Sequence, residues 1–200
     1  MSQDPFTAGL DLRGAFRRTA SEGFAFVPGA LDEAFRRRLH REVEAAPLEP
    51  APGSVGQVRQ ETEACTLPRD LEGYPTVAEL REALMARARR SGVRGLRTWR
   101  PDDIAAQRYR PGSVGITSHR DGKRYRRLVA VLTAAGSAGF VVRAERHGDA
   151  VAGWEAGPGS LVLLRGPGLA GARDGRPFHE VSGPREGVRY SVGFRMERAT

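Results

Sequence analysis

Cysteine, lysine and long apolar runs are scarce in this sequence, and each scarcity excludes a class of protein. Cys65 is the only cysteine in 200 residues, which excludes an internal disulfide and a thiolate metal cluster. No stretch approaches the roughly 18 apolar residues of a membrane span, and no basic start leads into an apolar leader. We therefore expect a soluble, cytoplasmic protein in which any bound metal has nitrogen and oxygen ligands.

Arginine carries almost all of the positive charge. Lys123 is the only lysine among 32 basic residues, and the formal net charge is +8. Such a charge can mark a nucleic-acid-binding protein, but a wholesale preference for arginine can also follow from genomic base composition. We interpret the charge as a solvated basic exterior.

The length and the 40% hydrophobic content fit a single domain over residues 1–200. Residues 23–28 form a short apolar run closed by proline, which predicts an edge strand. A helix should follow, with Asp32 as its N-cap. Its apolar positions recur at intervals of four, at Leu31, Phe35, Leu39 and Val43.

Residues 47–68 are rich in proline and glycine, which predicts a long loop or a short hairpin. Such a segment could be a substrate lid or could be disordered. A second helix is indicated by a capping box formed by Thr76 and Glu79, and Gly92 should end it.

The pattern changes after Trp99 to short strand-like segments, most of them separated by glycine- or proline-containing turns. They cover residues 104–110, 128–133, 139–142, 160–164, 178–181 and 189–196. This spacing is typical of a small antiparallel barrel or a double-sheet jelly roll. Helices in front of such a core give an α+β class that is mainly β. His147 should lie at a hairpin tip.

His119, Asp121 and His179 are the candidate metal ligands. On an extended strand His119 and Asp121 point to one face, with Arg120 opposite. His179, arriving from a distant strand, would complete the facial triad of two histidines and one carboxylate that holds non-haem Fe(II). His179 alone could be a core histidine, but its place after the predicted strand at 160–164 favours a ligand.

The last strand supplies a second candidate group. Alternation places Arg189, Ser191, Gly193 and Arg195 on one face and apolar side chains on the other. A buried face that carries arginine must be matched by an anion, and a planar guanidinium binds a carboxylate through two parallel hydrogen bonds.

In this order and strand context, His119-Arg120-Asp121, His179 and Arg189 resemble the iron(II)/2-oxoglutarate-dependent oxygenase superfamily. The spacing of Arg189 and Arg195, and the run Gln107-Arg108-Tyr109, look like its AlkB-like branch. The resemblance covers roughly residues 100–197. It implies a double-stranded β-helix (jelly-roll) core there, with residues 1–99 as helical support that includes the candidate lid at 47–68.

The resemblance also implies an activity and roles for the site residues. The enzyme would be a dioxygenase that uses O₂ and 2-oxoglutarate, with Fe(II) held by the three candidate ligands. Arg189 would pair with the distal carboxylate of 2-oxoglutarate, and Ser191 or Tyr109 would add a hydroxyl. Gln107 stands where many AlkB-like members have asparagine, and Arg195 would brace the far side of the site.

Three functions remain open from the sequence. The first, which we favour, is hydroxylation of a small molecule or peptide, with an anionic group on the substrate accounting for Lys123 and Arg124. The second is oxidative dealkylation of nucleic acid, with basic residues between Arg120 and Arg127 as a phosphate track. Many AlkB-like repair members have an acid where Lys123 follows the motif, which counts against it. The third and least favoured is a non-catalytic metal-binding barrel.

Overall fold

In the computed structural model, which describes residues 4–197, the chain forms two antiparallel sheets with helices packed against one of them. The α-helices in this range are α1 (Leu12–Glu22), α2 (Glu33–Glu44) and α3 (Pro75–Arg90). The strands are β1 (Phe24–Val27), β2 (Glu49–Pro50), β3 (Ser54–Val55), β4 (Val58–Glu61), β5 (Glu63–Thr66), β6 (Asp103–Tyr109), β7 (Gly115–His119), β8 (Leu128–Ala135), β9 (Ala138–Arg143), β10 (Ala150–Ala156), β11 (Leu161–Arg165), β12 (Phe178–Val181) and β13 (Arg189–Arg195). None of the helices in the described range has both the length and the apolar character that crossing a bilayer requires.

The two sheets confirm the predicted fold class. The larger has the order β1-β11-β8-β13-β6-β5-β2, and the smaller has the order β10-β9-β12-β7-β4-β3. They remain separate sheets, so the arrangement is the double-sheet jelly roll and not a closed barrel. One apolar cluster fills the space between the sheets and includes Phe140, Val142 and Val162. A second joins the helices to the larger sheet.

The N-terminal elements were partly predicted. β1 forms an edge of the larger sheet, and the Asp32 side chain accepts a hydrogen bond from the Phe35 backbone N–H at 3.0 Å, as expected for an N-cap. Helix α1 was missed. Its buried positions include Leu12, Ala15 and Phe16, a narrow stripe at helical spacing that is flanked by arginines and therefore gives a weak signal.

The predicted capping box of α3 is wrong. The helix begins at Pro75, and its N-cap residue makes no side-chain hydrogen bond. Instead, the backbone N–H groups of Thr76 and Val77 donate to the two carboxylate oxygens of Glu42 on α2, at 2.9 and 2.8 Å. A neighbouring helix thus supplies the acceptor that free helix N–H groups need. The helix ends at Arg90, and Gly92 adopts a positive φ of 76°.

Residues 47–68 form nested hairpins. β2 pairs with β5, and β3 pairs with β4. β5 then extends the larger sheet through β6, while β4 extends the smaller sheet through β7. Residues 1–99, which the sequence resemblance implied to be helical support, therefore also contribute strands to both sheets. The lid role of this segment stays a prediction.

All six predicted strands after Trp99 are present, with ends shifted by a residue or two. β10 was missed because Gly153 and Glu155 interrupt its apolar pattern. β7 was anticipated only as the extended segment around His119. It ends at His119, so Asp121 lies beyond the strand and not on it.

Candidate active site

Strand pairing brings His119, Asp121 and His179 together. His179 on β12 lies directly opposite His119 on β7 in the antiparallel register, and the centroids of the two rings are 4.3 Å apart. Asp121 turns back toward them just past the strand end. One ligand atom from each residue lies within 4.8 Å of the others, close enough for a single ion to contact all three.

Hydrogen bonds orient both imidazoles. Nδ1 of His119 lies 2.9 Å from the backbone oxygen of Thr117, and Nδ1 of His179 lies 3.3 Å from that of Pro177. Because a carbonyl only accepts, each Nδ1 carries the hydrogen, and each Nε2 keeps a lone pair. Metal-binding histidines are commonly held in this way.

The surroundings of His179 keep its ring neutral. The ring stacks on Phe140, with centroids 5.5 Å apart and an interplanar angle of 5°. Burial, reinforced by the nearby His119, lowers the pKa of His179 to about 4. At neutral pH the ring is therefore in the form that can bind a metal.

Asp121 remains ionised in spite of its burial. Burial acts to raise the pKa of its carboxyl, but His179, Arg195 and His119 outweigh that effect and hold the pKa below its usual value. Oδ2 of Asp121 lies 3.7 Å from Nε2 of His179, and Oδ1 lies 3.6 Å from Nε of Arg195. The site thus combines two imidazoles with one carboxylate, a donor set that suits a divalent cation.

Arg189 is a buried cation with no anionic partner in the described part of the chain. Only 1% of the residue is exposed, and no carboxylate among residues 4–197 forms an ion pair with it. Its Nη1 donates to Ser191 Oγ at 3.3 Å and its Nη2 to Thr133 Oγ1 at 3.0 Å, while its Nε has no hydrogen-bond partner in the described structure. Burial lowers the pKa of Arg189, because an unpaired charge is costly away from water.

The strand register gathers the other predicted residues around Arg189. Tyr109 lies opposite Arg189, and Gln107 lies opposite Ser191. The Arg189 guanidinium carbon is 4.9 Å from the Tyr109 ring centroid, and the Tyr109 hydroxyl donates to Gln107 Oε1 at 3.3 Å. Ser191 also lies opposite Thr133 on β8, so hydroxyl and amide groups form a row across three strands.

Sequence reasoning missed two polar residues of this site. Thr133 interrupts the apolar run of β8, which was a usable signal. Arg176 gave none, because it lies outside every predicted element. Its Nη1 donates to the backbone oxygen of Asp121, and its Nε and Nη2 each bind Asp174 at 2.8 Å.

No protein-family model matches the sequence, and no curated protein matches it at a significant level. Solved structures do resemble the fold. A Trichoplax adhaerens prolyl hydroxylase in complex with a hypoxia-inducible-factor peptide fragment matches with a TM-score of 0.65 and 13% identity, over 93% of this chain and 89% of that one. A Pseudomonas putida prolyl-4-hydroxylase matches with a TM-score of 0.61 and 18% identity, over 92% and 98%.

A third structure is similar along its whole length. It is an oxidoreductase of the 2OG-Fe(II) oxygenase family from Burkholderia pseudomallei, with a TM-score of 0.65 and 14% identity, over 100% of this chain and 99% of that one. At these identities the likeness establishes the fold. It agrees with the double-stranded β-helix that the sequence resemblance implied.

Proposed function

We propose that the protein is an Fe(II)- and 2-oxoglutarate-dependent dioxygenase that hydroxylates a C–H bond of a peptide or small molecule. The observation that carries this proposal is a His-Asp-His cluster in the same sandwich as a buried arginine that has no anionic partner in the described residues. The His-Asp-His cluster needs a cation, and the buried arginine needs an anion. A metal and an α-keto diacid would satisfy both.

The metal ligands would be His119, Asp121 and His179. Their donor set of two imidazoles and one carboxylate is that of non-haem iron oxygenases, and it leaves coordination positions open. Bound iron would supply O₂ activation coupled to decarboxylation of the diacid, so that one oxygen atom enters succinate and the other enters the substrate while CO₂ is released. The protein fixes the ligand geometry and excludes water.

Arg189 would hold the distal carboxylate of 2-oxoglutarate. Its guanidinium has unused donor capacity at Nε, and Ser191 and Thr133 already orient its two Nη atoms. Tyr109 and Gln107 lie opposite Arg189 and Ser191 on the neighbouring strand, and the amide NH₂ of Gln107 can donate to the diacid. Arg195 would hold the Asp121 oxygen that faces away from His179.

The alternative is an AlkB-like nucleic-acid dealkylase, and we place it second. Three of the basic residues between Arg120 and Arg127 have separate surroundings. Arg120 lies over the Phe178 ring at 4.2 Å, Arg124 is 3.3 Å from Glu197, and Arg127 lines a separate cavity beside α3. A nucleic-acid backbone needs a series of unpaired cations along one path. We therefore propose a peptide or small-molecule substrate with an anionic group.

The proposal is tested by iron binding and turnover of the purified chain. Wild type should bind one Fe(II) and form succinate from 2-oxoglutarate, and His179→Ala should lose both, because a triad reduced to two ligands loses affinity and geometry. His40→Ala, which removes the half-buried histidine of α2, is the matched control and should retain both. Full iron occupancy in His179→Ala would refute the proposed site.

Assays with methylated single-stranded DNA and RNA as substrates distinguish the proposed hydroxylase from the nucleic-acid dealkylase. If the peptide or small-molecule function is correct, neither should raise succinate formation above its rate without substrate, and no formaldehyde should appear. Oligonucleotide-stimulated succinate together with formaldehyde would make the dealkylase the better proposal.

A further inference from the structure

A basic cavity of about 460 Å³ lies behind the two histidines. Its lining includes Arg59, Ser118, Arg143, Arg146, His147 and Glu180. Glu180 follows His179 on β12, so strand alternation directs its side chain to the opposite face of the smaller sheet. We call this cavity the outer pocket. It is built on the same strands as the candidate iron site, but on their other side.

A β-bulge shapes the floor of the outer pocket. His179 lies opposite His119, whereas Val181 lies opposite Ile116, so β7 carries one extra residue between these pairs. Bulges re-aim side chains and are common near active sites. This one places both Thr117 and Ser118 beside the pocket.

Ser118 leaves a polar atom unused there. The residue is 8% exposed, and its Oγ is buried without a hydrogen-bond partner among the described residues. Buried hydroxyls nearly always have a partner, and this residue lines the outer pocket. The hydroxyl can donate to an anion.

Arg146 supplies the unpaired charge of the outer pocket. Arg143 is neutralised by Glu180 at 2.7 Å, but Arg146 has no carboxylate partner within residues 4–197. Its Nη1 donates to the backbone oxygen of Ser118 at 2.8 Å, which holds the guanidinium beside the orphan hydroxyl. A guanidinium with free donors next to a hydroxyl is suited to a carboxylate.

A second cation connects the outer pocket to the candidate iron site. Arg120 stands between His119 and Asp121, and its guanidinium carbon lies 4.2 Å from the Phe178 ring centroid. Arg146 lies 5.5 Å from the same centroid. Both arginines therefore contact one aromatic ring at the strand ends. A chain that passes over these ends would meet positive charge between the iron site and the outer pocket.

We propose that the outer pocket binds an acidic side chain of a peptide substrate whose reactive residue lies at His119, Asp121 and His179. This inference rests on the proposed function. A ligand that occupies both faces of the sheet must be extended, which favours a peptide over a compact metabolite. Within the lining, Arg59 pairs with Glu61 at 3.6 Å and Arg143 pairs with Glu180 at 2.7 Å. Arg146 is therefore the one arginine there without a carboxylate partner in residues 4–197, which disfavours a polyphosphate chain.

Binding to the metal-free protein tests the outer pocket independently of turnover. The probe is a fluorescent oligoglutamate peptide, with oligoglutamine as its neutral counterpart, and the measurement is anisotropy. Arg146→Gln should weaken oligoglutamate binding about tenfold, the range for losing a charge-assisted hydrogen bond. Arg94→Gln removes the same charge from an exposed arginine in the cavity beside α3, and it should bind like wild type.

Two results would overturn the outer pocket. One is oligoglutamate binding that is absent in wild type or unchanged in Arg146→Gln. The other is an equal loss in Arg94→Gln, because the attraction would then come from net charge alone. Thermal unfolding of each variant shows that it is folded. Oligoglutamate binding that depends on Arg146, in a protein that binds no iron, would support the pocket and reject the proposed enzyme.

Turnover then tests the link between the two sites. With Fe(II) and 2-oxoglutarate, peptide pools that contain fixed glutamates should raise succinate formation more than pools with glutamine at the same positions. Arg146→Gln should raise KM for the acidic pool about tenfold, whereas the control Arg94→Gln should leave KM and turnover without substrate unchanged. Equal stimulation by both pools, or stimulation by single-stranded RNA alone, would contradict an acidic peptide substrate.

Discussion

Nε of Arg195 lies 3.6 Å from Oδ1 of Asp121. The other carboxylate oxygen faces His179, so the two oxygens have different neighbours. Arg195 can therefore hold one oxygen while the other is left for a metal. Only 14% of either side chain is exposed, and this shielding from water strengthens the attraction between the two charges.

Removal of the Arg195 charge should weaken metal binding without removing a ligand. We expect Arg195→Met to lower Fe(II) affinity about 10- to 100-fold, the usual cost of losing a residue that orients a metal ligand. Anaerobic titration with Fe(II) measures this. Arg185→Met, at an exposed arginine, is the control, and equal affinity in Arg195→Met and wild type would contradict the role.

Arg176 should position Asp121 through its main chain. It is clamped by Asp174 and donates to the Asp121 backbone oxygen, and the paired arginine lowers the pKa of Asp174. Arg176→Gln should reduce Fe(II) affinity about tenfold, and Arg176→Lys should recover part of it. Because a general loss of stability could mimic this, thermal unfolding of the metal-free variants must stay close to wild type. Unchanged iron affinity would show that the bond has no positioning role.

Arg189 should be required for 2-oxoglutarate and dispensable for iron. Arg189→Ala would leave the carboxylate of the bound diacid without its cation, at a cost of about 3 to 5 kcal/mol. Binding of 2-oxoglutarate should therefore become undetectable by calorimetry of the Mn(II)-loaded protein. Arg189→Lys should rescue it only in part, because an ammonium lacks the two-pronged geometry. Wild-type affinity in Arg189→Ala would place the diacid elsewhere.

The strands and the residues at their inner face were predictable because their signals are local. Alternation alone divides β13 into a polar face with Arg189 and Ser191 and an apolar face with Val192 and Phe194. The two apolar residues pack in the cluster that joins the helices to the larger sheet. The choice of His119, Asp121 and His179 also depended on the family resemblance, and strand alternation placed Asp121 on a strand that in fact ends at His119. Local periodicity was sufficient for the two faces of β13.

Other features could not be predicted because they depend on contacts between distant segments. Glu42 caps a helix that begins more than thirty residues later in the chain, at the N–H groups of Thr76 and Val77. Arg176 reaches Asp121 from an irregular loop, and the bulge at Ser118 appears only when β7 meets β12. Single-sequence patterns contain no information on such pairings.

The Glu42 cap should contribute measurably to stability. Glu42→Gln keeps one acceptor oxygen but removes the charge that favours a helix N-terminus, and we expect a loss of about 1 kcal/mol in the free energy of unfolding. Urea denaturation measures it. Glu72→Gln, an exposed substitution before the same helix, should change stability by less than about 0.5 kcal/mol. Equal stability of the two variants would show that the cap is dispensable.

The pairing of Glu63 with Arg108 should make the attachment of residues 47–68 sensitive to acid. The Arg108 hydrogen bonds, opposed by partial burial and aided by Arg110, lower the pKa of Glu63 from 4.5 to about 2. Because the folded-state pKa lies below the unfolded one, the pair stabilises the protein above pH 4.5, and this contribution is lost as the pH falls toward about 2. The stability advantage of wild type over Glu63→Gln should therefore shrink across that window in denaturant titrations. Glu186→Gln changes an exposed carboxylate with no arginine partner in residues 4–197, and its stability difference from wild type should not shrink in this way. If wild type were still more stable than Glu63→Gln at about pH 2, β5 would be held to β6 without this ion pair.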